Sequence, residues 1–297
     1  MDFSIGRDES FDNGLRRVMA AQAAETASII RPPHSNIHES VHSTCKRLKC
    51  MRALLRLVMQ ALGNERFENE NRVLRDIGRS ISGLRDAHVL AQALTYVAME
   101  AHSVKPVDVE QGVAALEDRS RQALDRLQQD DNRPLETIAS DLDALSSRVT
   151  EWPEIPESWE SLAPGLRAVY GKGRQWNIEA KNNPGKKSFH EWRKQVKYLL
   201  HQYQLLVHYW PEALGINGKS MQQLSDYLGE EHDLAMLAEE LGHAEFEKTV
   251  AKIPSLRSFI EQKRAFLQRS ALNLGDYIYA QSEDEYVACF IESENVA

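Results

Sequence analysis

The sequence has no apolar run approaching the length of a membrane span, so no transmembrane helix is expected among its 297 residues. Cysteine is scarce. Cys45, Cys50 and Cys289 are an odd number without metal-ligand spacing, which speaks against a disulfide scaffold and for a reduced, cytoplasmic setting. The first residues, MDFSIGRDES, show no basic segment followed by an apolar one, so no secretory leader is expected. An excess of positive charge is also missing: the net charge is −8 and the pI is near 5.7. Bulk attraction to nucleic acid or to a membrane surface is therefore not expected, and any anion binding must come from local clustering of Lys and Arg.

Apolar residues make up 42% of the chain, enough for a substantial core. Strand-like alternation is rare and helical spacing nearly continuous. The pattern predicts helices over 13–31, 36–62, 68–101, 109–129, 134–150, 162–182, 188–210, 218–242, 244–250 and 255–280. Pro32-Pro33, the segment 152–156 and Asn182-Asn183-Pro184-Gly185 separate them. Asn36 with Glu39, and Ser188 with Glu191, have the spacing of capping boxes. The segment after Ser282 is acidic and reads as a frayed tail.

The chain repeats itself. VHSTCKRLKCMRALLRLV from Val41 aligns with FHEWRKQVKYLLHQYQLL from Phe189 at an offset of 148, pairing His42 with His190, Lys46 with Lys194 and Lys49 with Lys197. LRDAHVL and EHDLAML place Asp86 and Asp233 at an offset of 147, and Gly14-Leu15-Arg16 matches Gly165-Leu166-Arg167 at 151. Three blocks in one order at near-constant offset imply a duplication, with copies over about 13–150 and 162–280 and an acidic tail at 282–297.

Each copy carries a basic helix face. At about 100° per residue, His190, Lys194, Lys197 and His201 lie within roughly 40° of one line, with Arg193 beside them. Trp192, Val196, Leu199, Tyr203, Leu206 and Trp210 lie opposite. In the first copy His38, His42, Lys46, Lys49 and Arg56 share a face, with Arg52 at its edge. Arg47 stands about 140° from His42, well off that face. Such faces are often merely solvated. Here they have few acidic neighbours one turn away, they repeat, and their self-repulsion is a cost that a bound polyanion would relieve. Arg75 and Arg79 on helix 68–101, and Arg174 on helix 162–182, add to the basic set. Asp86 falls on the face of Arg75 and Arg79, and Asp86 and Asp233 are candidates to orient a histidine or guanidinium of a neighbouring helix by a charge-assisted hydrogen bond.

These blocks resemble the conserved-histidine α-helical domain (CHAD) family, whose marks are a V-H-x-x-R-K-R-x-K-x-x-R helix start and a later R-D-x-x-V-L segment, each present twice. The resemblance implies an all-α fold of two pseudo-symmetric helical bundles around a basic central cavity or pore. It also implies binding of inorganic polyphosphate, often at polyphosphate granules. Carried over by motif, the binding residues are His42, Lys46, Arg47, Lys49 and Arg52, then His190, Arg193, Lys194 and Lys197. The halves depart from each other: Cys45 stands opposite Arg193, while Gln195, Leu200 and Gln204 stand opposite Arg47, Arg52 and Arg56.

Other readings compete. His38-Glu39-Ser40-Val41-His42 is a literal H-E-x-x-H, the zinc-hydrolase pattern. Its basic surroundings disfavour a divalent metal, and the second copy has Lys186 and Lys187 in place of His38 and Glu39. Gly218-Lys219-Ser220 lacks the earlier glycine of a phosphate-binding loop, since Ala213 occupies that position. Nucleic acid is the alternative polyanion, but no recognised motif accompanies the basic faces. The expectation is thus a binder of inorganic polyphosphate without catalysis, cofactor or metal.

Overall fold

Helical spacing becomes helix throughout the computed structural model, which describes residues 3–101, 106–128, 133–209, 211–246 and 254–292. Among these residues there is no strand, and no helix is long and apolar enough to cross a membrane. Ser10 caps α1 (Phe11–Ile30) by accepting the Asn13 N–H. Asn36 caps α2 (Ile37–Leu57), accepting the N–H groups of His38 and Glu39 at 3.1 and 3.3 Å. The predicted helix 36–62 breaks at Val58 and resumes as α3 (Met59–Leu62), which ends on Gly63 at φ 75°, a conformation natural to glycine.

The predicted helix 68–101 is likewise two helices, α4 (Asn64–Ser80) and α5 (Ser82–Glu100), parted at Ile81. The Ser80 and Ser82 hydroxyls donate to the carbonyls of Ile77 and Arg79, local bonding that competes with helix continuation. Arg75 and Arg79 therefore stand on α4 and Asp86 on α5, and the shared face expected for them is interrupted.

The remaining helices are α6 (Pro106–Gln128), α7 (Arg133–Arg148), α8 (Trp159–Asn182), α9 (Lys186–Leu206), α10 (Pro211–Glu240), α11 (Pro254–Ile278) and α12 (Glu283–Glu292). Helix α9 starts two residues before the predicted Ser188. Gly185 is the cap, and the Ser188 hydroxyl accepts its N–H from inside the first turn. The predicted helix 244–250 shows as a short 3₁₀ turn, Ala244–Phe246, and its remainder lies outside the described residues, as does Trp210.

Within its described residues the acidic segment after Ser282 is helical rather than frayed. Ser282 and Glu285 form a reciprocal capping box that starts α12. Tyr286 then stacks on Tyr170 of α8 at 3.8 Å, and its hydroxyl donates to Tyr203 of α9 at 3.0 Å. A short helix holds because its apolar side is buried against α8 and α9.

Some contacts of α1, α2 and α5 have counterparts at α8, α9 and α10. Helix α1 packs on α2 and α7, as α8 packs on α9 and α12. Helix α5 packs on α6, as α10 packs on α11. The halves meet where α2 lies against α9 and α5 against α10. One apolar core joins α1, α2, α4, α7, α8, α9 and α12, with Leu84 of α5, Leu224 and Leu228 of α10 and Ala271 of α11 reaching into it. A smaller one joins α5, α6, α10 and α11. Gly165 of α8 lets that helix approach the end of α2 so closely that a Cβ there would overlap the Leu57 carbonyl.

Candidate anion-binding site

The α2–α9 contact brings the two basic faces together. Lys49 of α2, Arg193 and Lys197 of α9, Arg85 of α5, and Cys45 line both of two adjoining cavities, forming a throat between them. The first cavity, of about 350 Å³, is walled by those cations together with Arg52, Arg75, Arg79, Lys194 and His190. Eight Lys and Arg residues line it, and among the described residues no Asp or Glu does. The second, of about 690 Å³, adds His42, Lys46 and His201, with Asp226, Glu230 and Asp233 of α10 on its far wall.

The throat is electrostatically tense. Burial and the adjacent Arg85, Arg193 and Lys197 hold the Lys49 ammonium down at about 7. Lys197 is depressed by burial and by Arg193. Arg193 is depressed by burial, with Asp233 opposing and Arg85 adding repulsion. Its Nε is buried and meets no hydrogen-bond partner among the described residues. Burial raises the carboxyls of Asp86 and Asp233 against the pull of Arg85, Arg193 and Lys49. Among the described residues neither carboxylate makes an ion pair within 4 Å, so the orienting hydrogen bond expected of them is not formed and their influence acts through space.

Most residues singled out in the sequence reach the cavities. Arg52 is steadied by Asn71, which accepts from its Nε at 3.1 Å. Arg75 and Arg79 share Asp76 at 3.1 and 3.7 Å, and Lys194 pairs with Glu191 at 2.7 Å. The histidines are biased toward the neutral form. Burial lowers His42 and His190, with Arg85 and Lys194 respectively adding repulsion. Burial takes His201 down to about 4, its Nδ1 lying 2.8 Å from the Gln204 amide oxygen. His201 is thus a polar wall rather than a cation.

Four expected residues lie elsewhere. Arg47 points to α1, donating to Gln22 at 2.8 Å and pairing with Glu25, as its angular offset on the wheel requires and contrary to the family pattern. Arg56 shares the face of Lys49 but lines neither cavity. It donates to the Arg52 carbonyl at 2.8 Å and lies 4.0 Å above the Tyr198 ring, so its role is in packing. Arg174 faces Glu283 of α12 at 3.9 Å. His38 stacks on His88, ring centroids 4.6 Å apart, outside both cavities. No group of three His, Cys, Asp or Glu side chains suited to a metal occurs among the described residues.

One central residue escaped the sequence reading. Arg85 lines both cavities and perturbs Lys49, His42 and Asp86. Its signal in the sequence is the arginine of the R-D-x-x-V-L segment, immediately before Asp86. His232, whose ring lies 4.9 Å from that of His190, was also overlooked. Burial and Arg193 take it down to about 3.

Comparison with known proteins bears on this arrangement. The model of the CHAD domain family matches residues 15–242. The crystal structure of the CHAD domain from the plant Ricinus communis is similar at a TM-score of 0.54 and 13% identity, over 94% of this chain and 93% of that one. PptA from Streptomyces chartreusis is similar at a TM-score of 0.56 and 14% identity, over 89% of this chain and 100% of that one. No curated protein matches. At these identities the two structures speak for the fold alone, and the family follows from the match over residues 15–242: the chain belongs to the CHAD domain family.

Proposed function

We propose that this protein binds inorganic polyphosphate, without turning it over, in the cleft between α2 and α9. The observation that carries the reading is the 350 Å³ cavity lined by eight Lys and Arg residues and free of Asp and Glu among the described residues. Like charges gathered this closely destabilise the fold, and a polyanion reverses the sign of that contribution. A linear polymer of phosphates matches the extended cationic lining better than a single phosphate, because successive groups on one chain bind at high effective concentration. We assign no catalytic role; the reading is one of binding alone, in a cavity lined by cations. Binding a long polymer would also carry the protein to polyphosphate granules.

Titration calorimetry with polyphosphates of defined length tests this reading. Affinity should rise with length and far exceed that for orthophosphate. If about four phosphates are neutralised, the slope of log K against log salt should be near −3, at about 0.7 ion per phosphate for a single-stranded polyanion. Equal affinity for orthophosphate and polymer, or displacement of polymer by equimolar DNA, would refute it.

A further inference from the structure

Resting on the polyphosphate reading, we infer that the site takes up a proton together with its polyanion, and that the Lys49 amine at the throat receives it. The geometry confines the candidates. Lys49 is one of four cations that line both cavities, with Arg85, Arg193 and Lys197. None of the four makes an ion pair within 4 Å among the described residues, whereas Arg75, Arg79 and Lys194 at the first cavity each do. A polyanion in either cavity therefore meets Lys49 among cations that no carboxylate contacts directly among the described residues, the nearest acids acting only through space.

The groups facing Lys49 come from every side of the cleft. On α2 itself are His42, Cys45 and Lys46. Arg75 and Arg79 of α4 share its first cavity. Helix α5 contributes Arg85 and Asp86, α9 contributes His190, Arg193, Lys194, Lys197 and His201, and α10 contributes Asp226, Glu230 and Asp233 on the far wall of the second cavity. Helices α1 and α8, which also pack on α2, give no residue to either cavity among those described. Cations dominate this shell. Of the four cations that line both cavities, the two guanidiniums keep their protons at any physiological pH, leaving the amines of Lys49 and Lys197. Asp226 and Asp233 pull Lys197 back up, whereas no carboxylate offsets the cations around Lys49, so Lys49 is the group that yields.

In the free protein Lys49 titrates near 7, so above that pH the amine is mostly neutral. Phosphate oxygens in the cavities supply the missing counter-charge and raise its proton affinity. The sign follows. Below about pH 7 the amine is already protonated and binding takes up little. Above it, binding draws close to one proton and affinity falls by up to about tenfold per pH unit. His42 and His190, also depressed, add uptake at more acidic pH.

The test is calorimetry of a polyphosphate of defined length at about pH 8, in Tris and in a buffer of low ionisation enthalpy. The apparent enthalpies should differ by an amount equal to roughly 0.9 proton per site times the difference in buffer enthalpy. Lys49→Arg, charged throughout, should keep affinity and lose that uptake, leaving what the polymer's terminal phosphates contribute. Lys49→Met guards against an arginine that does not fit. It should weaken binding at about pH 6 and approach the wild-type affinity at about pH 9, where wild type must first acquire its proton. Tight binding with equal enthalpies in the two buffers, or an uptake unchanged in Lys49→Arg, overturns the inference and leaves the polyphosphate reading standing. Absence of polymer binding in either buffer overturns both.

Discussion

Replacing Lys49 by methionine should make the protein more stable while weakening its ligand. Methionine keeps the unbranched stem that packs at the throat and removes the ammonium. Moving a lysine from 10.5 to about 7 corresponds to roughly 4–5 kcal/mol against the charged form, at 1.36 kcal/mol per pH unit. Lys49 is half-buried and water reaches it through both cavities, so screening leaves about 2–4 kcal/mol. The folded protein releases this proton more readily than the unfolded chain does. The wild-type penalty is thus complete below about pH 7 and fades as pH rises toward 10.5. Urea denaturation at about pH 6.5 should show the full gain, a rise in melting temperature of about 3–8 °C, and at about pH 9.5 a gain below about 1.5 kcal/mol. A variant less stable than wild type at the lower pH, or one with the same gain at both, would refute the account of a strained, unpaired ammonium.

The other substitutions separate binding from structure. Arg47→Ala should leave polyphosphate affinity within about twofold by calorimetry and lower stability by about 1 kcal/mol, because its partners Gln22 and Glu25 are on α1. Glu70→Gln breaks a bidentate pair in which the partly exposed Arg148 donates to the buried Glu70 at 2.7 and 3.0 Å, and should cost about 1.5 kcal/mol in denaturant unfolding without changing affinity. Gly165→Ala should cost several kcal/mol, about 3 or more, since the new methyl meets backbone rather than a movable side chain, and circular dichroism melting reads it directly.

Much of this molecule was legible from local pattern. The helices around Lys49 and Lys197 follow from apolar spacing, and the alignment of His42 with His190 found the two segments that meet in the cleft. Places where the pattern misled have local causes as well. The serines flanking Ile81 divide a helix that spacing joined. Ser282 and Glu285 start a helix in a segment whose acidity suggested fraying. The Ser-x-x-Glu spacing forms no cap at Ser188, where Gly185 takes the position, but does at Ser282.

The cationic character of each face is a property of the chain alone, because residues three and four apart share a helix side whatever surrounds it. So is the exclusion of Arg47 from that side, which the wheel stated against the family pattern. Which of the facing cations stand in the cleft was settled by packing between distant segments. Arg52 and Arg56 are one turn apart, yet Tyr198 and the Arg52 carbonyl claim Arg56 while Arg52 reaches the cavity. Arg85 enters the throat because α5 lies against α10 beside the α2–α9 contact, a relation among segments far apart in sequence. The depressed proton affinity of Lys49 has the same origin. It arises where charges from separate helices converge out of water, and Coulomb repulsion depends on distances in space that no local spacing encodes.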